Sequence, residues 1–416
     1  MVSFLKNVGT VLLSLLFTLA LLEGAARIMK LGTGGFWAPD EKLGWVNIPG
    51  AEGWESCYGE CQVRVIINES GLRDDDEIPY EKPAGTQRIL FLGDSITAGM
   101  QVPFEDTFTE QLEGHLNETA ADNWQVINGA VNGYGTDNEL LYYRLEGQKY
   151  EPDVVVLNVY LANDVYNNSR VLELRTGGES HKPYFTLSDD GELELQNFPV
   201  ENTDSFFIKV GTFLKKHFQL PRFIAQTMSL RGAVPSWLQP IMRLFSGNRG
   251  VAAGDTAGNG NNQQAAQSTD DESGEGEGSQ AQENVSRVGA ATICDAEYSP
   301  EVEAAWDVTK AIIAQMRDEV EESGARFAVT AVPTTAQTVT PKANADWYCV
   351  RPNEELNSFL DEEGILYLDM LEGFRAYSPE GGADLYYAKD FHMNESGHHL
   401  AGELLNEFVQ EALIDG

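Results

Sequence analysis

The strongest constraint on the fold is a set of short segments that are apolar on both faces. Residues 88–92 read Arg88, Ile89, Leu90, Phe91 and Leu92, and residues 153–159 run from Asp153 through Val154, Val155, Val156 and Leu157 to Asn158 and Val159. A half-exposed strand alternates apolar with polar, whereas a run of this kind needs cover on both sides. Residues 124–128, 326–332 and 365–368 read as further strands. Helical patterns separate them at 104–116, 138–147, 300–323, 354–363 and 396–413. Buried strands alternating with helices predict an α/β chain with a doubly wound parallel sheet. Such sheets bind ligands outside the carboxyl ends of their strands. The chemistry is therefore expected just after Leu92, Asn128, Val159 and Val332.

Four loops carry the candidate residues, and three of them follow strand ends. After the first strand comes Gly93, Asp94, Ser95, Ile96 and Thr97. A serine on a tight strand-to-helix turn presents its hydroxyl at the sheet edge, beside N–H groups that can hold an oxyanion. By itself this tripeptide is also an ordinary turn and helix cap. The second strand ends in Asn128, Gly129, Ala130, Val131, Asn132 and Gly133, where glycine lets backbone approach a ligand. The third ends in Tyr160, Leu161, Ala162, Asn163 and Asp164, and the Asn163 amide is a further donor. Before the last helix lie Asp390, Phe391 and His392. A carboxylate beside a histidine fixes its tautomer and stabilises the imidazolium. Asp94 and Asp164 read as turn and capping groups. His398 and His399 read as surface positions of the last helix rather than metal ligands, and His115, His181 and His217 have no local partners that suggest catalysis.

In this order the four blocks resemble the SGNH (GDSL-type) hydrolase superfamily of esterases, deacetylases and acyltransferases. The resemblance runs from about residue 87 to 413, and residues 68–73 (Asn68, Glu69, Ser70, Gly71, Leu72, Arg73) look like the lead-in of anchored bacterial members. It implies a flavodoxin-like five-stranded sheet. It also implies Ser95 as nucleophile, His392 as general base and Asp390 as its orienting carboxylate. The oxyanion hole would be the Ser95 N–H, the Gly133 N–H and the Asn163 side chain. No cofactor and no metal are implied. Two positions depart from the family pattern. Leu161 stands where a glycine is usual, and Lys389 stands where the acid usually precedes the histidine. The two-residue spacing of Asp390 and His392 resembles that of alginate O-acetylation proteins and related anchored members.

Residues 1–30 are expected to form a signal anchor or transmembrane helix. Val8 to Leu22 is uncharged and leucine-rich, interrupted only by Gly9, Thr10, Ser14 and Thr18. A span needs about 20 residues, and the preceding apolar residues extend the run. A cleaved signal peptide and a buried core helix are the other readings. The first two both send the rest of the chain across a membrane, to the periplasm or cell surface. The four cysteines fit export. Cys57 and Cys61 are spaced for a small loop disulfide, with half a zinc site as the rival, and Cys294 can pair with Cys349 across the fold.

The remaining organisation is a lead-in at 31–86, a first core half at 87–164, a cap or insertion at 165–246, a disordered linker at 247–292 and a second core half at 293–416. Within the insertion, a hairpin is expected around Asp189, Asp190 and Gly191. Residues 205–250 are expected to form two or three helices broken by Pro221, Pro235 and Pro240. This stretch has seven Lys and Arg and no Asp or Glu in a chain of net charge −37. It reads as a cap packed on the acidic core, or as a membrane-surface element. The overall charge excludes a general nucleic-acid binder. The expected function is a serine esterase removing small acyl groups from a glycan or lipid through an acyl-enzyme. The alternatives are an O-acetyltransferase acting on an exported polysaccharide and a non-catalytic glycan-binding protein.

Overall fold

The structure is a computed structural model that describes residues 2–119, 123–175, 181–230, 294, 297–338, 349–377 and 382–414. Helix α1 (Val2–Ile28) comes first. The lead-in follows as two antiparallel pairs, β1 (Trp37–Asp40) with β2 (Gly44–Asn47) and β3 (Glu52–Ser56) with β4 (Gln62–Ile66). The core then runs through β5 (Thr86–Leu92), α2 (Ser95–Ala98), α3 (Phe108–Thr119), β6 (Asn123–Asn128), α4 (Thr136–Leu145) and β7 (Val154–Tyr160). The insertion supplies α5 (Asp164–Asn167), α6 (Arg170–Arg175), the hairpin β8 (Tyr184–Leu187) and β9 (Leu193–Gln196), α7 (Phe206–His217) and α8 (Gln219–Leu230). The core resumes with α9 (Pro300–Glu322), β10 (Arg326–Val332), α10 (Thr335–Thr338), α11 (Arg351–Glu363), β11 (Leu366–Asp369), α12 (Leu371–Ala376) and α13 (Glu395–Phe408).

The expected doubly wound sheet is present. Five parallel strands lie in the order β11-β10-β7-β5-β6, so the chain starts at β5, adds β6 at the near edge, and then crosses to β7 on the other side of β5. Strand side chains alternate faces. Ile89, Phe91, Val154 and Val156 pack with Phe108, Leu112 and Leu116 of α3 and Ala401 and Leu405 of α13. Leu90, Leu92, Val155 and Leu157 face the other way, onto Leu140 and Leu141 of α4 and Ile312, Ile313 and Met316 of α9. Both faces are covered, which is why these strands carry no polar alternation.

The five strands lie within two residues of the expected bounds at each end. The α9 start is fixed by Ser299, whose hydroxyl accepts from the Val302 N–H, with Pro300 in the first turn where its missing N–H costs nothing. The hairpin turns at Gly191, which has a φ of 81°, and the Gly191 N–H donates to the Ser188 carbonyl at 3.0 Å. Its second strand continues to Gln196.

Three readings need correction or completion. Helix α1 is 27 residues long and its most apolar window is 0% buried, so the core-helix reading of this segment fails. It is the one helix among the described residues that is long and apolar enough to cross a membrane. Pro221 breaks nothing, because it sits in the first turn of α8, where proline is tolerated. The Cys57–Cys61 and Cys294–Cys349 pairs are disulfides, which leaves no thiolate pair for zinc. Pro235, Pro240 and the 247–292 linker lie outside the described residues.

The described part of the basic stretch, α7 and α8, packs on the lead-in and on the base of α1. The Lys215 ammonium donates to the Trp37 carbonyl at 3.3 Å, and the Arg222 guanidinium lies 5.0 Å over the Phe36 ring. Glu23 of α1 accepts from the Gln219 N–H at 3.0 Å and the Leu220 N–H at 2.8 Å.

Candidate active site

Two contacts lock the turn that carries Ser95. Asp94 caps α2 by accepting from the Ile96 N–H at 2.9 Å. Gly99 closes the turn in the left-handed conformation, at φ 57°, with its N–H on the Ser95 carbonyl at 3.0 Å. A side chain at Gly99 would meet His398 Cε1 at 2.9 Å, so both backbone and space demand glycine. Ser95 is the first residue of α2, so its N–H has no intrahelical acceptor.

The sheet register brings the other strand ends alongside. Phe91 of β5 pairs with Asn128 of β6, and Leu92 with Leu157 of β7. The Asn128 amide donates to the Thr97 carbonyl at 2.8 Å, and the Asn158 amide donates to the Thr97 hydroxyl at 2.7 Å. Thr330 of β10 completes the chain by donating to Asn158 Oδ1 at 2.7 Å. These buried polar groups tie α2 to three strands.

His392 reaches this turn from the loop before α13. The Ser95 hydroxyl and His392 Nε2 are 2.8 Å apart, and His392 Nδ1 and Asp390 Oδ1 are 2.6 Å apart. In the tautomer with its proton on Nδ1, the imidazole donates to Asp390 and accepts from Ser95. Phe391 between them has a φ of 66°, a left-handed conformation uncommon for a side chain of this size. That kink sets Asp390 and His392 on one side at two-residue spacing. It is held by the Phe391 N–H on the Tyr387 carbonyl at 3.0 Å and the Tyr387 N–H on the His392 carbonyl at 2.9 Å. Lys389, at the alternative position, carries no acid, and its backbone N–H donates to Glu60 at 2.8 Å. Ser95, Asp390 and His392 are all buried.

Gly133 has a φ of 79°, and no protein acceptor for its N–H is found among the described residues. The Asn163 amide donates to Asp94 Oδ2 at 3.0 Å. An amide has two protons, so one remains after this contact. The contact also fixes which end of the amide faces Asp94, since its carbonyl oxygen would be repelled there. Leu161, the departure from the glycine pattern, is buried one residue past β7 and points into the core with Leu157 and Val159.

An acidic layer lies behind the site. Glu139 and Asp164 are both buried and pushed well above the ordinary carboxylate range, by desolvation first, and then by Asp94 and Asp137 for Glu139 and by Glu139 and Asp94 for Asp164. This favours their neutral forms. Asp164 accepts from the Tyr160 N–H at 2.7 Å, in keeping with a turn role. Asp137 is instead paired with the fully buried Lys182 at 2.8 Å. Lys182 thereby fastens the hairpin of the insertion to the start of α4.

Two assignments change with the structure. His398 is buried, not on the surface. It stacks on Phe108 at 5.6 Å, accepts from the Phe108 N–H at 3.3 Å, and is pushed down to about 3 by burial. It is a neutral packing group, and its neighbour His399 is the exposed one. Arg73 is the larger surprise. Its buried guanidinium binds the carbonyls of Ala98, at 2.7 Å, and of Gly99 and Val102, thereby gripping the end of α2. The sequence offers Arg73 as one residue of a lead-in block. Its partners are backbone carbonyls, which no motif displays.

No family model matches the chain. A curated arylesterase from Vibrio mimicus is 35% identical over 79 residues, which are 19% of this chain and 38% of that protein. The chain thus spans less than half the length of this relative. Among solved structures, an acetyl xylan esterase overlaps 77% of this chain and 99% of its own at 10% identity, with a TM-score of 0.37. A lipase/acylhydrolase from Enterococcus faecalis overlaps 78% and 95% at 12% identity, with a TM-score of 0.35. A GDSL-like lipase from Bacteroides thetaiotaomicron overlaps 79% and 89% at 10% identity, with a TM-score of 0.31. In its sheet order and in its ordered serine, glycine, asparagine and histidine blocks, this chain resembles the SGNH (GDSL-type) hydrolases.

Proposed function

We propose that this protein is a membrane-anchored, extracytoplasmic serine esterase that removes small acyl groups from a glycan or lipid. The observation that carries the reading is the continuous relay from Ser95 through His392 to Asp390, with contacts of 2.8 and 2.6 Å. A serine hydroxyl is a weak nucleophile until a base takes its proton. His392 Nε2 takes that proton as Ser95 Oγ bonds to the ester carbonyl carbon. The negative charge passes to the carbonyl oxygen, which the N–H groups of Ser95 and Gly133 and the free proton of Asn163 stabilise. Each such donor is worth about 10²–10³ in rate. Collapse breaks the ester C–O bond, and the imidazolium returns its proton to the leaving alkoxide. Water then repeats the sequence on the acyl-enzyme and restores Ser95. Helix α1 and the two disulfides support an anchored protein facing an oxidising compartment.

A second reading has the same acyl-enzyme but a glycan hydroxyl in place of water. The two-residue spacing of Asp390 and His392, set by the Phe391 kink, favours it. A non-catalytic glycan-binding role has no use for an aligned relay. Labelling by a fluorophosphonate, followed by assay of an acetylated sugar with and without acceptor glycan, separates the three. Labelling at Ser95 with acetate release supports the esterase, acetyl transfer to the acceptor supports the transferase, and absence of labelling overturns both.

A further inference from the structure

Helix α7 is amphipathic the wrong way round for a water-facing helix. Its inner face, against the lead-in, carries Gly211 and the buried Lys215. Its outer face carries Phe206, Val210 and Phe213, spaced at i, i+4 and i+7 along one stripe. Their exposures are 74%, 38% and 56%, and the adjacent Phe207 and Phe218 stand at 62% and 38%. Scattered exposed apolar residues are ordinary, but a continuous apolar stripe marks a contact surface.

The position of this stripe says what it contacts. The α7–α8 junction is clamped to α1 by Glu23, which accepts from the Gln219 and Leu220 N–H groups, and by Arg27, which donates to the His217 carbonyl at 2.6 Å. Glu23 directly follows Leu22, the last residue of the uncharged run. Four residues of helix rise about 6 Å, so the clamp sits within one headgroup layer of the point where α1 would leave the hydrocarbon. Lys209 and Lys216 line one edge of the stripe, the former paired with Asp204 at 2.7 Å and the latter with Glu69 at 3.4 Å, and basic residues in such a place are usual on helices lying in a bilayer interface.

We propose that α7 is an interfacial helix whose Phe206–Val210–Phe213 stripe inserts into the bilayer surface beside α1, giving the protein a second membrane contact and fixing the orientation of its body. This rests on α1 being a transmembrane anchor. All four native cysteines are in disulfides, so Phe213→Cys, Val210→Cys, Leu13→Cys and Glu192→Cys each add a single reactive thiol. The full chain carrying a nitroxide at each site is reconstituted in phosphatidylcholine–phosphatidylglycerol vesicles. Collisions with oxygen, which concentrates in lipid, are compared with collisions with a water-soluble nickel chelate. The expected result is oxygen dominating at positions 213, 210 and 13, and nickel dominating at 192, on the exposed hairpin. Nickel dominating at 213 and 210 with oxygen at 13 overturns the inference alone. Low collision with both probes at 213 and 210 means protein covers the stripe, a second copy or the chain's own residues 231–293, and overturns it too. Nickel dominating at 13 as well removes the anchor and this inference with it.

Discussion

Replacing Asp390 with asparagine keeps the shape of the relay and removes its charge. The carboxylate accepts from His392 Nδ1 at 2.6 Å, and in the proposed reaction it faces an imidazolium. Two unit charges about 4 Å apart interact by about 4 kcal/mol at an effective dielectric of 20. An asparagine amide loses that attraction. It can also donate to Nδ1, which moves the imidazole proton to Nε2 and turns the base into a donor toward Ser95. A loss of 4 kcal/mol is about a thousandfold in rate, and the wrong tautomer adds to it, so kcat should fall about 10³–10⁴-fold. KM should change little, because Asp390 does not face the substrate carbonyl. The assay is p-nitrophenyl acetate hydrolysis at saturating substrate, with the melting temperature checked in parallel. Lys389→Met is the companion, and it should leave kcat within a factor of about two, because Lys389 engages Glu60 through its backbone. An Asp390→Asn enzyme keeping more than about a tenth of parental kcat would show that Asp390 does not orient the base, whatever its distance from the ring.

Removal of the side chain at Asn163 (Asn163→Ala) should lower kcat by about 10²–10³-fold with the fold intact, measured in the same assay. Arg73→Met leaves three carbonyls at the end of α2 without their donor, and should lower unfolding free energy by about 3–5 kcal/mol in denaturant titration. Glu110, in the first turn of α3, is pushed up to about 8 by burial and by Glu113 and Asp74. A carboxyl raised in this way binds its proton in the folded state over a window where the unfolded chain has released it. Its stabilising contribution is full below about 4.5 and is lost as pH rises through about 8. Glu110→Gln should therefore flatten the alkaline side of the stability curve, by about 1–2 kcal/mol allowing for its partial exposure. Equal pH slopes in parent and variant would contradict this.

The sheet was readable because burial on both faces leaves a composition that half-exposed strands do not have. Val154 to Leu157 and Ile89 to Leu92 carry that signature directly. Ser95, Gly133, Asn163 and His392 were readable as candidates because each sits in a short block at a strand end or in an adjoining loop. Asp390 was less legible, since the usual acid position is Lys389 and only the Phe391 kink explains how a carboxylate two residues away reaches the ring. Long-range packing was not legible at all. Arg73 reaches backbone carbonyls 25 or more positions away, and Lys182 reaches Asp137 across 45. Neither partner leaves a mark in local sequence. His398 looked like an exposed helix residue because helical period alone does not say which face α3 covers. The outward phenylalanines of α7 were visible as composition, but their direction needed the contacts of Lys215 and Glu23.

In the proposed reaction Ser95 carries the acyl group. This role is tested most directly by exposing the full chain to a fluorophosphonate and mapping the adduct by peptide mass spectrometry, alongside Ser95→Ala. The expected result is a single phosphonylated peptide containing Ser95, no adduct in Ser95→Ala, and p-nitrophenyl acetate hydrolysis reduced by at least about 10³-fold in that variant. An adduct on another residue, or a Ser95→Ala protein that hydrolyses the ester as fast as the parent, would contradict it.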